Sequence, residues 1–243
     1  ARSEKNPDRK KALFEISGSA YERAFNIEPG NKKVLEGYSR YLRLTGQQQK
    51  AAGLFSNNEG VLWRFYLNDG QYEKSKEILD KLFKADAKNT EVIKGMIIAA
   101  EKTADKEGIK TYTEKLLAVD NTPDNELLQI QKYLEIGFIK EVDLKLKSFR
   151  ERYPDNSKAM LLEAWNAMTK GQLEQALALM NRNLELDPEN ATAWRLRGRV
   201  NRLLRNVDQA VADLQKRKNS NPNPPIRTKP PKTHSKTTKH HPS

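Results

Sequence analysis

A chain of 243 residues with 37% apolar and 31% charged residues and a mean hydropathy of −0.85 is polar for a compact globule, but ordinary for a thin array of partly wet helices. Having no cysteine excludes disulfides, thiol catalysis and thiolate metal sites, and no apolar run approaches the ~18 residues of a membrane span, so a soluble cytoplasmic or periplasmic body is expected. The net charge of +12 sits mostly at one end: no acidic residue follows Asp213 while eight basic ones do, leaving 36 basic against 32 acidic groups before them, a net of +4.

The opening ARSEKNPDRKKALF has no apolar stretch after its charges and does not read as a secretory signal. Periodicity predicts a leading helix over 12–28, ending at EPGN, and then two-helix units near 32–56, 57–88, 89–122, 123–156, 157–190 and 191–222. The boundaries come from a period. Residues 70–93, GQYEKSKEILDKLFKADAKNTEVI, and 171–194, GQLEQALALMNRNLELDPENATAW, place Gly, Gln, Glu, Asp and Asn at the same offsets. Pro154, Pro188 and Pro222 are 34 apart, as are Asp86 and Asp120, and Gly137 and Gly171, with Arg205 next in that series. One interval breaks the rule, since Gly46 and Gly70 hold the same place but lie only 24 apart. Trp63, with Phe55 and Phe65 nearby, is expected to fill the space left by the shortened helices.

Farther along, Leu173, Ala176, Leu177, Met180 and Leu184 recur at helical spacing on one face. DPEN then ends that helix, because Pro188 lacks a donor and Asn190 can cap the next one. In the last unit Val207, Ala210, Val211 and Leu214 make an apolar stripe that either points wholly inward or marks an end that meets a partner. The Pro- and Lys-rich stretch 225–243 is predicted to be a disordered basic tail.

These features resemble the tetratricopeptide repeat, a helix–turn–helix unit. The best copy, residues 191–222, matches its pattern at Trp194, Gly198, Ala210, Leu214 and Pro222. It departs at Arg197, where Leu is usual, and at Asn201, where Tyr is usual. Residues 157–190 match through Ala164, Ala176, Met180 and Pro188, and residues 32–55 through Leu35, Ser39, Leu42, Ala51 and Phe55. The resemblance covers 12–224 and implies an all-α fold, a right-handed superhelical solenoid whose concave wall is lined by the first helix of each unit.

Catalysis is not expected. His234, His240 and His241 all lie in the tail, and no P-loop, dinucleotide fingerprint or nucleophile elbow is present, so neither a cofactor nor a metal is implied. The implied function is a non-catalytic scaffold for another protein, within a multiprotein assembly such as a bacterial envelope or secretion complex. Its wall would be Arg195, Arg199 and Arg202 in the last unit, Leu161, Trp165 and Met168 one unit earlier, and Leu127, Gln131 and Leu134 before that. Such a surface suits an acidic, partly apolar peptide or helix, the guanidiniums taking carboxylates. The family's carboxylate clamp needs a Lys followed four residues later by Asn; here Arg195 precedes Arg199, Lys94 precedes Ile98 and Glu36 precedes Arg40, so that clamp does not carry over. The alternative is a nucleic-acid-associated protein that holds nucleic acid or another anionic surface through the basic tail.

Overall fold

The structure is a computed structural model and describes residues 7–220; the expected tail disorder, the three histidines and Pro222 lie outside the described residues. Thirteen helices and no strand occur among the described residues. The first, α1 (Pro7–Ile27), starts earlier than its periodicity suggested, with Pro7 at its first position, where a missing N–H leaves no bond unmade. There follow α2 (Lys32–Leu44), α3 (Gln48–Gly53), α4 (Glu59–Asn68), α5 (Tyr72–Ala85), α6 (Thr90–Lys102), α7 (Lys106–Val119), α8 (Pro123–Ile136), α9 (Ile139–Arg152), α10 (Ser157–Thr169), α11 (Leu173–Leu186), α12 (Ala191–Leu203) and α13 (Val207–Ser220).

Local chemistry sets these boundaries. Asn31, Asn89, Asn156 and Asn190 sit in extended backbone, and their side-chain carbonyls accept from main-chain amides in the first turns of α2, α6, α10 and α12. Thr122 does the same for α8, with Pro123 at the first helical position. Asn58, beside the shortened interval, makes no such bond to α4. Gly46, Gly70, Gly137 and Gly171 close the turns between paired helices with φ of 78°, 79°, 89° and 74°. Ala104 and Arg205 hold the same place with φ of 57° and 63°, where a Cβ crowds the next carbonyl at a cost of roughly 1–2 kcal/mol. After the greater chain entropy of glycine is deducted, Arg205→Gly is expected to stabilise the protein by ~0.5–1 kcal/mol. A rise in the urea midpoint would register this; a fall would contradict it.

Two compact units divide between Phe138 and Ile139. In the first, each helix packs on its sequence neighbour from α1 to α8, and the core is a string of small clusters. Tyr38, Leu42, Ala51, Phe55 and Phe65 form one, Trp63, Leu79, Val92, Met96 and Ala99 the next, and Ile93, Ile97 and Leu116 another. Trp63 is buried, as expected, but Phe55 and Phe65 do not share its cluster. Their rings meet at a tilt of 39° with centroids 5.8 Å apart, against α2 and α3, while Trp63 leaves the other side of α4 toward α5 and α6. The short interval has a direct cause: α3 has six residues and α4 ten, against 14 and 13 in α5 and α6.

In the second unit α9 packs on α10, α10 on α11, α11 on α12 and α12 on α13, and α10 also touches α12. Ala164, Ala167, Ala176, Met180, Leu184, Ala193 and Val200 make its core, the small residues letting backbones approach. At the far end Ala210 is buried, but Val207, Val211 and Leu214 are exposed, so the last stripe does not point wholly inward. No helix among the described residues is long and apolar enough to cross a membrane.

Candidate functional site

Of the residues proposed for the wall, one trio lies on α8 in the first unit and two lie on α10 and α12 in the second. On α8, Leu127 and Leu134 are buried, which leaves Gln131 as the part-exposed member of the trio. Its amide donates to Glu135 Oε1 at 2.8 Å, and the other oxygen of Glu135 accepts from Lys132 Nζ at 2.8 Å. Burial pushes the Lys132 ammonium down, but hydrogen bonds to Glu135 and Glu101 outweigh it and hold the group above the usual lysine range.

The second unit offers more. On α10, Leu161 and Met168 are half-buried and lean on the core, with Trp165 half-buried between them in sequence. On α12, Arg195, Arg199 and Arg202 are all exposed and make no ion pair among the described residues. These two trios stand at equivalent positions, 34 apart, on helices that touch. The apolar strip and the arginine row thus share one register on two touching helices. Trp194, one residue before the row, is half-buried; its indole N–H donates to the Pro188 carbonyl at 2.7 Å, and the Arg197 guanidinium covers its ring at 4.5 Å.

Several solved structures are similar in fold. A structure described as MamA 41-end from Desulfovibrio magneticus RS-1 is 20% identical, with a TM-score of 0.52 over 70% of this chain and 94% of its own. PilW, described as a widely conserved type IV pilus biogenesis factor, is 16% identical with a TM-score of 0.54 over 68% of this chain and 77% of its own. The chain has the tetratricopeptide-repeat fold. The Cut9–Hcn1 hetero-tetramer of APC/C is likewise similar, at 16% identity and a TM-score of 0.54, over 85% of this chain and 43% of its own. No family model and no curated protein matches the sequence.

The tetratricopeptide register also explains the two departures in the best copy. Arg197 and Asn201 both turn to Asp213, which is wholly buried. Its carboxylate accepts from Arg197 Nη2 at 2.7 Å, from Arg197 Nε at 3.2 Å, from Asn201 Nδ2 at 2.9 Å and from Gln209 Nε2 at 3.1 Å. Gly198 lets α13 come this close, since a Cβ there would lie 3.2 Å from that of Asp213.

One polar cluster was missed at the sequence level. Asp143, Arg150, Glu163, Asn166 and Lys170 meet where α9, α10 and the start of α11 converge, on a different face of α10 from the wall. A signal existed: Glu163 stands 34 residues before Arg197, at the same Leu position of the tetratricopeptide pattern. Among the described residues, no group of three or more His, Cys, Asp or Glu is placed to hold a metal ion.

Proposed function

We propose that residues 12–224 act as a non-catalytic scaffold that holds an acidic, partly apolar segment of another protein against α10 and α12. One observation supports the reading: Leu161, Trp165 and Met168 stand at equivalent register to Arg195, Arg199 and Arg202 on touching helices, and the three guanidiniums make no ion pair among the described residues. An unpaired arginine row gives bidentate recognition of carboxylates, and a half-buried tryptophan beside it gives the anchor that interface energetics favour. Leu127, Gln131 and Leu134 hold the same register one unit earlier. Assembly work of the kind named for PilW, type IV pilus biogenesis, is one setting for such a scaffold.

The test is a partner captured by the intact protein, measured by calorimetry against Trp165→Ala combined with Arg199→Glu. Affinity is expected to fall at least tenfold, about 1.4 kcal/mol. Unchanged affinity overturns the assignment. Binding that survives this pair, is lost with residues 219–243 and falls steeply with salt would point instead to an anionic ligand such as nucleic acid.

A further inference from the structure

Within the second unit one packing arrangement is written twice. Leu161 and Met168 of α10, with Leu173, Leu177 and Met180 of α11, lie in or against the core cluster to which α12 gives Ala193 and Val200. Neither of those two α12 residues has any exposed surface. Thirty-four residues later the same five places are Arg195 and Arg202 of α12 and Val207, Val211 and Leu214 of α13. Here α12 packs on α13, but Val207, Val211 and Leu214 remain 63%, 50% and 41% exposed. Their spacing of i, i+4 and i+7 puts them on one face. The apolar side chains of an internal joint are thus present without the helix that covers them one unit earlier.

Charge selects what covers this face. Along α12 and in the turn to α13, Arg195, Arg199, Arg202 and Arg205 are exposed and make no ion pair among the described residues. Asp208 is the one exposed carboxylate that α13 offers against them. Residues 221–243 carry a single aliphatic side chain, Ile226, and five Lys and Arg with no acidic group, so they match neither the stripe nor its charge. A second copy docked face to face would turn each arginine toward its own equivalents. An acidic helix meets both demands. Packed helix axes lie roughly 8–10 Å apart, about one Debye length at 0.1 M salt, so carboxylates at equal register on such a helix feel the arginines.

We propose that the α12–α13 end seats an amphipathic, acidic helix of another protein. Small apolar residues seven apart on that helix lie over Val207, Val211 and Leu214, the part that Ala193 and Val200 play for α12, and its carboxylates line the edge toward Arg195 and Arg202. The guest extends the array by one helix. The seat shares arginines with the α10–α12 wall but none of Leu161, Trp165 and Met168, so either assignment can fail alone.

The test probes the full chain with two helix-stapled, fluorescein-labelled peptides of the α12 sequence ATAWRLRGRVNRL, residues 191–203. One is unchanged and the other carries Arg195→Glu, Arg199→Glu and Arg202→Glu. By fluorescence anisotropy the acidic peptide is expected to bind at least about tenfold more tightly than the unchanged one. Val211→Gln in the protein, a neutral change at a half-exposed position, should weaken it at least about tenfold, and Trp165→Ala less than about twofold. On the unsubstituted protein the peptide should shift the Val207, Val211 and Leu214 methyl resonances, a readout independent of any variant's folding. The proposal is overturned if the acidic peptide gains nothing over the unchanged one, or if those methyls do not move. It is also overturned if sedimentation shows the protein self-associated and Val211→Gln makes it monomeric, since a second copy is then the occupant. Loss with Trp165→Ala while Val211→Gln is neutral would leave the α10–α12 wall standing and remove this seat alone.

Discussion

Trp63→Ala is expected to lower the free energy of unfolding by ~3–5 kcal/mol, the range for truncating a core aromatic. The ring is 5% exposed and packs with Leu79, Val92, Met96 and Ala99, joining α4 to α5 and α6. Its main-chain carbonyl also accepts from the buried Ser75 hydroxyl at 2.8 Å, so α4 and α5 are registered from both ends of the residue. With α3 reduced to six residues and α4 to ten, little else at this joint can close over the lost ring. Gly95 supplies an internal control. A Cβ there would lie 2.9 Å from Trp63 Cη2 and 2.7 Å from Leu79 Cδ2, so Gly95→Ala alone should cost ~1–3 kcal/mol by overpacking. In the Trp63→Ala background that cost should shrink, because the Leu79 methyl, still 2.7 Å away, can then swing into the vacated space, giving a coupling of at least ~1 kcal/mol. Urea titrations followed by far-UV circular dichroism measure all three proteins. A loss below ~1 kcal/mol for Trp63→Ala would mark the residue as surface-like and sink the packing role.

Asp213→Ala should cost ~3–5 kcal/mol, the penalty for breaking a buried ion pair from one side. The carboxylate has no exposed surface, and the Arg197 side chain is 16% exposed, so its removal strands a largely desolvated guanidinium together with the Asn201 amide. The unit before writes the same three positions as Glu163, Ala167 and Leu179, and the family pattern prefers Leu at the first. Replacing the group together, as Arg197→Leu, Asn201→Ala and Asp213→Leu, should return stability to within ~1 kcal/mol of the parent, since apolar substitutes for a buried pair are often neutral or better. A triple variant as unstable as the single one would show that these residues matter through something other than each other.

Much of this fold was readable because its signals are local. The Asn caps at 31, 89, 156 and 190 act within their own first turns, and Gly46, Gly70, Gly137 and Gly171 need a conformation that few residues tolerate. Trp63 was legible as buried because the short interval left it little alternative. Its separation from Phe65 was legible too: residues two apart on a helix point to different sides, so one cluster was never open to both. What stayed hidden depends on pairing between helices. Arg197 and Asn201 look like misfits until Asp213, on the next helix, is seen between them. Glu163 and Asn166 likewise take their meaning from Asp143 and Arg150 on α9. In the proposed wall, spacing gives the α10 and α12 trios equivalent register, but spacing alone does not reveal that Leu127 and Leu134 are buried.

Because packing within each unit is almost all between helices that follow one another in sequence, α10 on α12 being an exception, the chain there has little loop entropy to overcome before contacts reward it. Low contact order of this kind favours rapid folding. It also suits vectorial synthesis: α1 and α2 can settle against each other while later helices are still being made on the ribosome, so little apolar surface waits exposed for a distant mate.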